Sequence, residues 1–139
     1  NDYIDTTYGI RPQDFSAIAV SKDIYWIDVL NKAVVAYKTG TQGVSNYGEA
    51  LNVQNIINKS ISEYIPLINY DVQNDELLCQ MLYTYDSDYS NSTEKIQSKK
   101  QLIFNTKYNI ATSIYNRLYE SSIILNNKLF GINNVIENE

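Results

Sequence analysis

The strongest structural pattern in this chain is a stripe of apolar residues in its last third. Between Phe104 and Ile132 apolar residues recur every three or four positions, and no proline or glycine interrupts them before Gly131. This spacing is typical of one face of an α-helix. The sequence Asn91-Ser92-Thr93-Glu94 has capping-box spacing, which predicts a helix start. An unbroken helix over residues 92–130 would be roughly 58 Å long, which exceeds the diameter of a compact domain of this size.

Three earlier segments show the same helical spacing. Residues 21–38 place their larger apolar side chains on one face, residues 53–65 do so up to Pro66, and residues 74–85 form a shorter pattern. Residues 39–48 are the clearest loop. The alternative for residues 17–38 is a β-hairpin, because this segment is rich in β-favouring residues and Asn31-Lys32 could form its turn.

These patterns predict an all-α fold, an antiparallel bundle of three to four helices with a long C-terminal helix. The alternative is an α+β fold with a hairpin in residues 17–38. Residues 1–11 are polar and lead into Pro12, which predicts a flexible N-terminal arm. Residues 12–139 are then predicted to form a single helical domain, since 139 residues suffice for one hydrophobic core.

The residue types that most often perform catalysis are scarce. The chain has no histidine and one cysteine, Cys79, which lies in an apolar run and is expected to be a buried structural thiol. No phosphate-binding loop, dinucleotide fingerprint, zinc-ligand spacing or nucleophile elbow occurs. The segment Asp86–Ser90 resembles the start of a calcium loop, but the later glycine and glutamate positions hold Asn91 and Gln97. We therefore expect no enzymatic activity, no cofactor and no bound metal.

The charge of the chain is acidic and unevenly distributed. The net charge is −5; residues 1–91 hold five basic and twelve acidic residues, whereas residues 92–128 hold six basic and two acidic ones. Net acidity disfavours nucleic-acid binding by the whole protein. The basic segment is expected to pack beside the acidic remainder, or to receive an anionic partner on residues 95–107. No stretch is long and apolar enough for a membrane span.

Candidate contact residues follow from the thirteen tyrosines and the lysine-rich segment. Tyrosines in the arm or in loops are potential anchors for a protein partner, whereas Tyr64, Tyr85, Tyr108 and Tyr115 fall on the predicted apolar faces and are expected to be core or half-buried. The candidate interaction residues are Tyr3, Tyr8, Tyr47, Tyr89, Lys95, Lys99, Lys100 and Lys107.

The sequence therefore favours a function exerted by contact rather than by catalysis. The main hypothesis is a structural or assembly protein, such as a subunit of a virion, an appendage or a secreted complex, that binds protein partners or itself. This hypothesis favours an extracellular or virion-associated location. The alternative is a small acidic inhibitor or immunity-type protein that masks a basic site on its partner.

Overall fold

The protein is composed mainly of antiparallel β-strands. The computed structural model describes residues 8–10, 16–40, 43–86, 95–115, 121–126 and 128–132. Its elements, in chain order, are β1 (Ala17–Val20), β2 (Asp23–Asp28), β3 (Ala33–Lys38), β4 (Gly43–Asn46), α1 (Tyr47–Ala50), α2 (Gln54–Ile57), β5 (Leu67–Asp71), β6 (Glu76–Asp86), β7 (Lys95–Asn105), β8 (Ile110–Tyr115), β9 (Ser121–Leu125) and β10 (Lys128–Ile132).

The predicted helical bundle is wrong. Strands β1 to β4 form a first sheet in chain order, β5 to β8 form a second sheet in chain order, and β9 pairs with β10 in a terminal hairpin. The two helices are four residues each. Residues 17–38 form antiparallel hairpins, as the alternative for this segment had it, but they belong to a four-stranded sheet rather than to an α+β fold.

Short turns with residues suited to them connect the paired strands. The β1–β2 and β9–β10 loops contain two residues, and the first of each, Ser21 and Asn126, has a positive φ. Lys32, Asp75 and Asn109 each end a four-residue loop, also at positive φ. Because the chain reverses within two to four residues at these points, antiparallel meanders form from local sequence.

The hydrophobic core lies between the first and second sheets. Along β6, alternate residues face this core: Leu77, Cys79, Met81 and Tyr83 are all almost fully buried. They pack with side chains of the first sheet, including Tyr25, Ile27, Val34 and Ala36. In a strand, every second side chain points to the same face, so all four residues face the core. In a helix, residues two positions apart would point to different faces and could not all be buried together. The burial of Cys79 agrees with the expectation of a structural thiol.

The second sheet is buried on its other face as well. Asn69, Gln80, Gln101 and Ile103 are almost fully buried there, and β5 contacts both strands of the terminal hairpin. Consecutive residues of β7, from Gln101 to Phe104, are therefore all buried. Such a doubly buried strand shows no alternation in its sequence, and this is why the run was misread as the start of a helical stripe.

The long C-terminal helix is wrong for the described part of residues 92–130. β7, β8, β9 and β10 occupy this stretch, with a turn at 106–109 and a two-residue turn between the last two strands. The capping-box segment 91–94 lies outside the described residues. Within each strand apolar residues alternate, and the short loops between strands add an odd or even number of residues before the next alternation begins. Read along the chain, the apolar residues therefore also fall at spacings of three and four.

The predicted division into a flexible arm (residues 1–11) and one domain (residues 12–139) falls partly outside the described residues. Residues 1–7 and 11–15 lie outside the described residues, so the flexible arm stays a prediction. Gly9 donates its backbone N–H to Oδ2 of Asp28 at 2.9 Å, and Ser16 pairs with Ile27 through both backbone and side chain. These bonds attach the described N-terminal residues to the end of β2.

Candidate interaction surfaces

The structure separates the eight predicted contact residues rather than joining them in one site. Tyr3 and Tyr89 lie outside the described residues, and Tyr8 is half-buried. Lys95, Lys99 and Lys100 lie along β7, where Lys95 and Lys99 pair opposite Asp86 and Leu82, and Lys100 pairs opposite Met81. Lys100 therefore lies on the opposite face of the sheet from the other two. Lys107 is exposed in the turn beyond the far end of this strand.

Tyr47 is a core residue rather than a surface one. Its side chain is only 4% exposed, and its ring packs 5.4 Å from Tyr25 and 5.2 Å from Phe104, centroid to centroid. Its hydroxyl donates to Oδ1 of Asn109 at 2.9 Å, which links the start of α1 to the β7–β8 turn of the second sheet. Burial raises the pKa of the Tyr47 hydroxyl, so it stays protonated and keeps donating this bond.

Lys38 packs against the same pair of tyrosine rings, Tyr25 and Tyr47. Its ammonium lies 5.3 Å from the Tyr25 ring centroid and 5.4 Å from that of Tyr47, and it donates to the Tyr25 hydroxyl at 3.0 Å. Asp23 is 4.0 Å away from it on the neighbouring strand. A lysine placed over two aromatic faces has a structural role here, because the cation stabilises the closed edge of the core.

The first exposed surface is formed by two turns at one end of the second sheet. We call it the turn surface; it comprises the β5–β6 turn with its flanking residues (71–76) and the β7–β8 turn (106–109). Hydrogen bonds join the two turns. Thr106 donates its N–H to the Asp75 carbonyl at 2.8 Å, and the Tyr70 and Thr106 hydroxyls lie 2.8 Å apart. The surface is therefore preorganised by the fold.

An aromatic ring stands out from the turn surface. Tyr108 is 66% exposed, contrary to the prediction that it is core or half-buried, and Val72 on the neighbouring turn is also exposed. The Asn105 side chain accepts a hydrogen bond from the Tyr108 backbone N–H at 3.0 Å and fixes the turn. The Lys107 ammonium lies 5.4 Å from the Tyr108 ring centroid. Sequence reasoning missed this exposure because the turn at 106–109 was read as helix.

Three carboxylates lie on the same surface. In the part of the chain that the structure describes, Asp71, Asp75 and Glu76 make no salt bridge. Asp71 accepts hydrogen bonds from the Gln73 backbone and the Asn74 side chain. Partial burial, and after it the charge of Asp71, raise the pKa of the Glu76 carboxyl. The fold therefore disfavours the ionised form of Glu76, mainly through burial and to a smaller extent through repulsion from Asp71.

The raised pKa of Glu76 predicts a pH-dependent effect of Glu76→Gln. The folded state disfavours ionised Glu76, so the free energy of unfolding of the wild type is lowered at pH values above the pKa that Glu76 has in the folded state. It rises again as the carboxyl is protonated at lower pH. At neutral pH the variant should be more stable, by only about 0.2–0.5 kcal/mol because the group is mostly solvated. The gain should disappear below the ordinary glutamate pKa of 4.5. Urea unfolding at several pH values measures it; a gain that persists at acidic pH would contradict this cause.

The second exposed surface is the outer face of the first sheet, the face opposite the core. Its open part consists of six apolar residues that lie in two cross-strand rows: Ala17, Ala19, Ile24, Trp26, Tyr37 and Val44. Ile24 is 41% exposed, both alanines are exposed, and the other three are half-buried. The face is covered in its other part: Ala33, Val35 and Asp28, which lie on the same face by register, are almost fully buried, and Gly9 is hydrogen-bonded to Asp28 there. The apolar patch is therefore a partly exposed strip rather than a whole open sheet face.

A groove with three lysines forms the third surface. Lys32, Lys59 and Lys95 line a cavity of about 400 Å³ together with Ser60, Ser62 and Thr84. Lys32 already donates to the Asn58 carbonyl at 3.0 Å, and Glu63 is part of the same wall. The internal bond and the opposing carboxylate reduce the positive potential available to an anion.

The described residues contain no group suited to catalysis by a thiol or a metal. Burial raises the pKa of the Cys79 thiol, which keeps it in the unreactive protonated form. Among these residues, no three histidine, cysteine or acidic side chains are arranged to hold a metal ion. Neither of the two helices in the described ranges is long and apolar enough to cross a membrane.

Comparison of the chain with protein families, with curated proteins and with solved structures finds no match in any of the three. Inference about function therefore starts from the surfaces described above.

Proposed function

We propose that this protein is a non-catalytic binding domain, and that it acts as a small acidic protein that masks a basic site on a protein partner. The observation that carries the proposal is Tyr108, an exposed ring on a hydrogen-bonded turn beside three carboxylates without salt bridges among the described residues. Exposed aromatic residues on rigid supports are frequent anchors of interfaces. Surrounding negative charge would steer and align a cationic partner.

The energetics of this surface favour a cationic partner over an uncharged one. Partial burial, and after it the charge of Asp71, disfavour the ionised form of Glu76, and a lysine or arginine of a partner would offset the part of this cost that comes from Asp71. Formation of the turn surface requires no ordering on binding, since Tyr70, Asp75 and Thr106 already connect its two turns. Preorganisation of this kind lowers the entropic cost of association.

The proposal predicts selective binding of a cationic probe at the turn surface. An oligolysine peptide should bind the wild type, and the double variant Asp71→Asn with Glu76→Gln should lose about three- to tenfold in affinity and show a shallower salt dependence. The matched control is Glu49→Gln with Glu63→Gln, which removes the same charge at exposed positions elsewhere. Isothermal titration calorimetry at two salt concentrations measures both. Equal losses in the two double variants would show that only net charge matters and would overturn the proposal.

A second candidate function is an assembly subunit. Its original support, a long protruding helix, is removed by strands β7 to β10, which occupy most of the described residues between 95 and 132. The exposed apolar part of the outer face, around Ile24, supports it instead, because an exposed apolar patch on a rigid sheet is typical of a contact surface between proteins.

A further inference from the structure

Lysine ammonium groups lie over tyrosine rings at several places in the described part of the chain. Among these pairs are Lys38 with Tyr25 and Tyr47, Lys99 with Tyr64, and Lys107 with Tyr108. Tyr25 and Tyr47 are buried in the core, and the half-buried Tyr64 accepts a hydrogen bond from the Gln80 side chain at 3.0 Å. In these pairs the lysine covers a ring that the fold already holds.

The pair on the turn surface differs from the others. Tyr108 is 66% exposed, and its hydroxyl makes no hydrogen bond within the described residues. Lys107 is exposed too, and it makes no salt bridge in that part of the chain, although three carboxylates lie on the same surface. Its ammonium lies 5.4 Å from the Tyr108 ring centroid instead. The core does not require this contact, which shows that the exposed ring attracts a cation.

Apolar groups near the ring suit a long cationic side chain. Ile110, two residues after Tyr108, is 50% exposed, and Val72 on the neighbouring turn is 39% exposed. Ile110 pairs across the strands with Asn105, and Asn105 pairs with Glu76, so apolar and acidic side chains share one row at this end of the sheet. A side chain that combines an apolar stem with a charged head matches such a surface.

Arginine matches the exposed ring better than lysine does. A guanidinium is planar and weakly hydrated and stacks on an aromatic face, whereas an ammonium is compact and strongly hydrated. A partner that covers Tyr108 removes water from the ring. Lys107 then leaves the ring, because burying its ammonium without hydration would be costly, and a guanidinium takes its place at a smaller loss of hydration.

We infer that Tyr108 receives an arginine side chain of the partner, and that Lys107 occupies this position in the unbound protein. On binding, the guanidinium stacks on the Tyr108 ring, Lys107 moves into the solvent, and the carboxylates of the turn surface attract the incoming charge. This inference rests on the proposed function, because it names the residue type that the turn surface recognises on its partner.

The test compares oligoarginine with oligolysine of equal length by isothermal titration calorimetry. The wild type should bind oligoarginine about three- to tenfold more tightly than oligolysine. Tyr108→Leu should lower this ratio to less than about twofold, because it removes the ring and keeps an apolar side chain. The variant retains the backbone N–H that donates to Asn105, so the turn is maintained. Urea unfolding checks that its stability is that of the wild type.

Removing the lysine should strengthen the binding of arginine. Lys107→Gln should raise the affinity for oligoarginine about two- to fivefold, because the ring is then unoccupied and a like charge is gone. Lys99→Gln is the matched control, since it removes the same charge and also a lysine that lies 5.4 Å from a tyrosine ring centroid. Lys99 lies about 20 Å along β7 from Asn105, so screening by salt should keep its effect below about 1.5-fold.

Equal affinities of the wild type for the two peptides would overturn the inference, and so would an arginine preference that Tyr108→Leu retains. A gain from Lys107→Gln that does not exceed the gain from Lys99→Gln, or that is equally large in the Tyr108→Leu background, would also overturn it. The proposed function fails separately, through the comparison of Asp71→Asn with Glu76→Gln against its control. Binding of oligolysine that depends on these carboxylates, without an arginine preference, overturns only the inference.

Discussion

Replacing Phe104 with alanine should lower the free energy of unfolding by about 3–5 kcal/mol, the largest effect expected from any single change described for this protein. Phe104 is fully buried in β7, and its ring packs 5.2 Å from that of Tyr47 across the interface between the two sheets. The substitution removes the ring from the centre of the core and leaves a cavity that the surrounding strands cannot close.

A loss of this size is a large part of the stability of an ordinary domain, about 5–15 kcal/mol. Urea unfolding followed by circular dichroism measures it at a single low protein concentration. Tyr108→Ala is the matched control, because it removes an aromatic ring that is mostly exposed in the next turn. The control should change stability by less than about 0.5 kcal/mol. Similar losses in both variants would contradict the position of the core between the sheets.

Replacing Gly48 with alanine should destabilise the protein by about 1–2 kcal/mol, although alanine is the better helix former. Gly48 lies in α1, and a Cβ there would collide with Cδ1 of Ile57. The methyl group belongs to a flexible side chain, but Ile57 is fully buried in the core and has little space into which to rotate. The clash therefore outweighs the gain in helix propensity.

The double variant with Ile57→Val isolates this cause. Valine lacks the methyl group that collides, so Gly48→Ala should cost much less in the Ile57→Val background than in the wild type. A double-mutant cycle of unfolding free energies measures the difference as a coupling energy. Equal costs of Gly48→Ala in the two backgrounds would show that the close approach of α1 and α2 is not the constraint.

Local chemistry at the turns could be predicted in part from the sequence. Asn31-Lys32 was recognised as a possible turn, and the β2–β3 hairpin does reverse there, with Lys32 at positive φ. The equivalent signal at Asn109 was not recognised, because the flanking apolar residues fit a spacing of three and four. Turn residues were better indicators than hydrophobic spacing in this chain.

The exposure of the tyrosines could not be predicted. Tyr47 lies in the predicted loop 39–48 and was expected at the surface, yet it is buried. Tyr108 fitted an apolar face and was expected to be core or half-buried, yet it is exposed. The Asn109 side chain, which accepts the Tyr47 hydroxyl hydrogen bond, lies 62 residues further along the chain. A contact over that distance depends on the packing of the two sheets, which no local pattern describes.

The sequence by itself determined the short-range properties of this protein: the acidic net charge, the absence of histidine, the burial of Cys79 within an apolar run, and the turn at Asn31-Lys32. The tertiary structure decided between helix and strand for the described parts of residues 95–132 and for residues 17–38. The physical reason is that β7 of the second sheet and β3 of the first sheet are buried on both faces: Gln101–Phe104 and Ala33–Ala36 are consecutive buried residues, so these strands lose the alternation that identifies a strand.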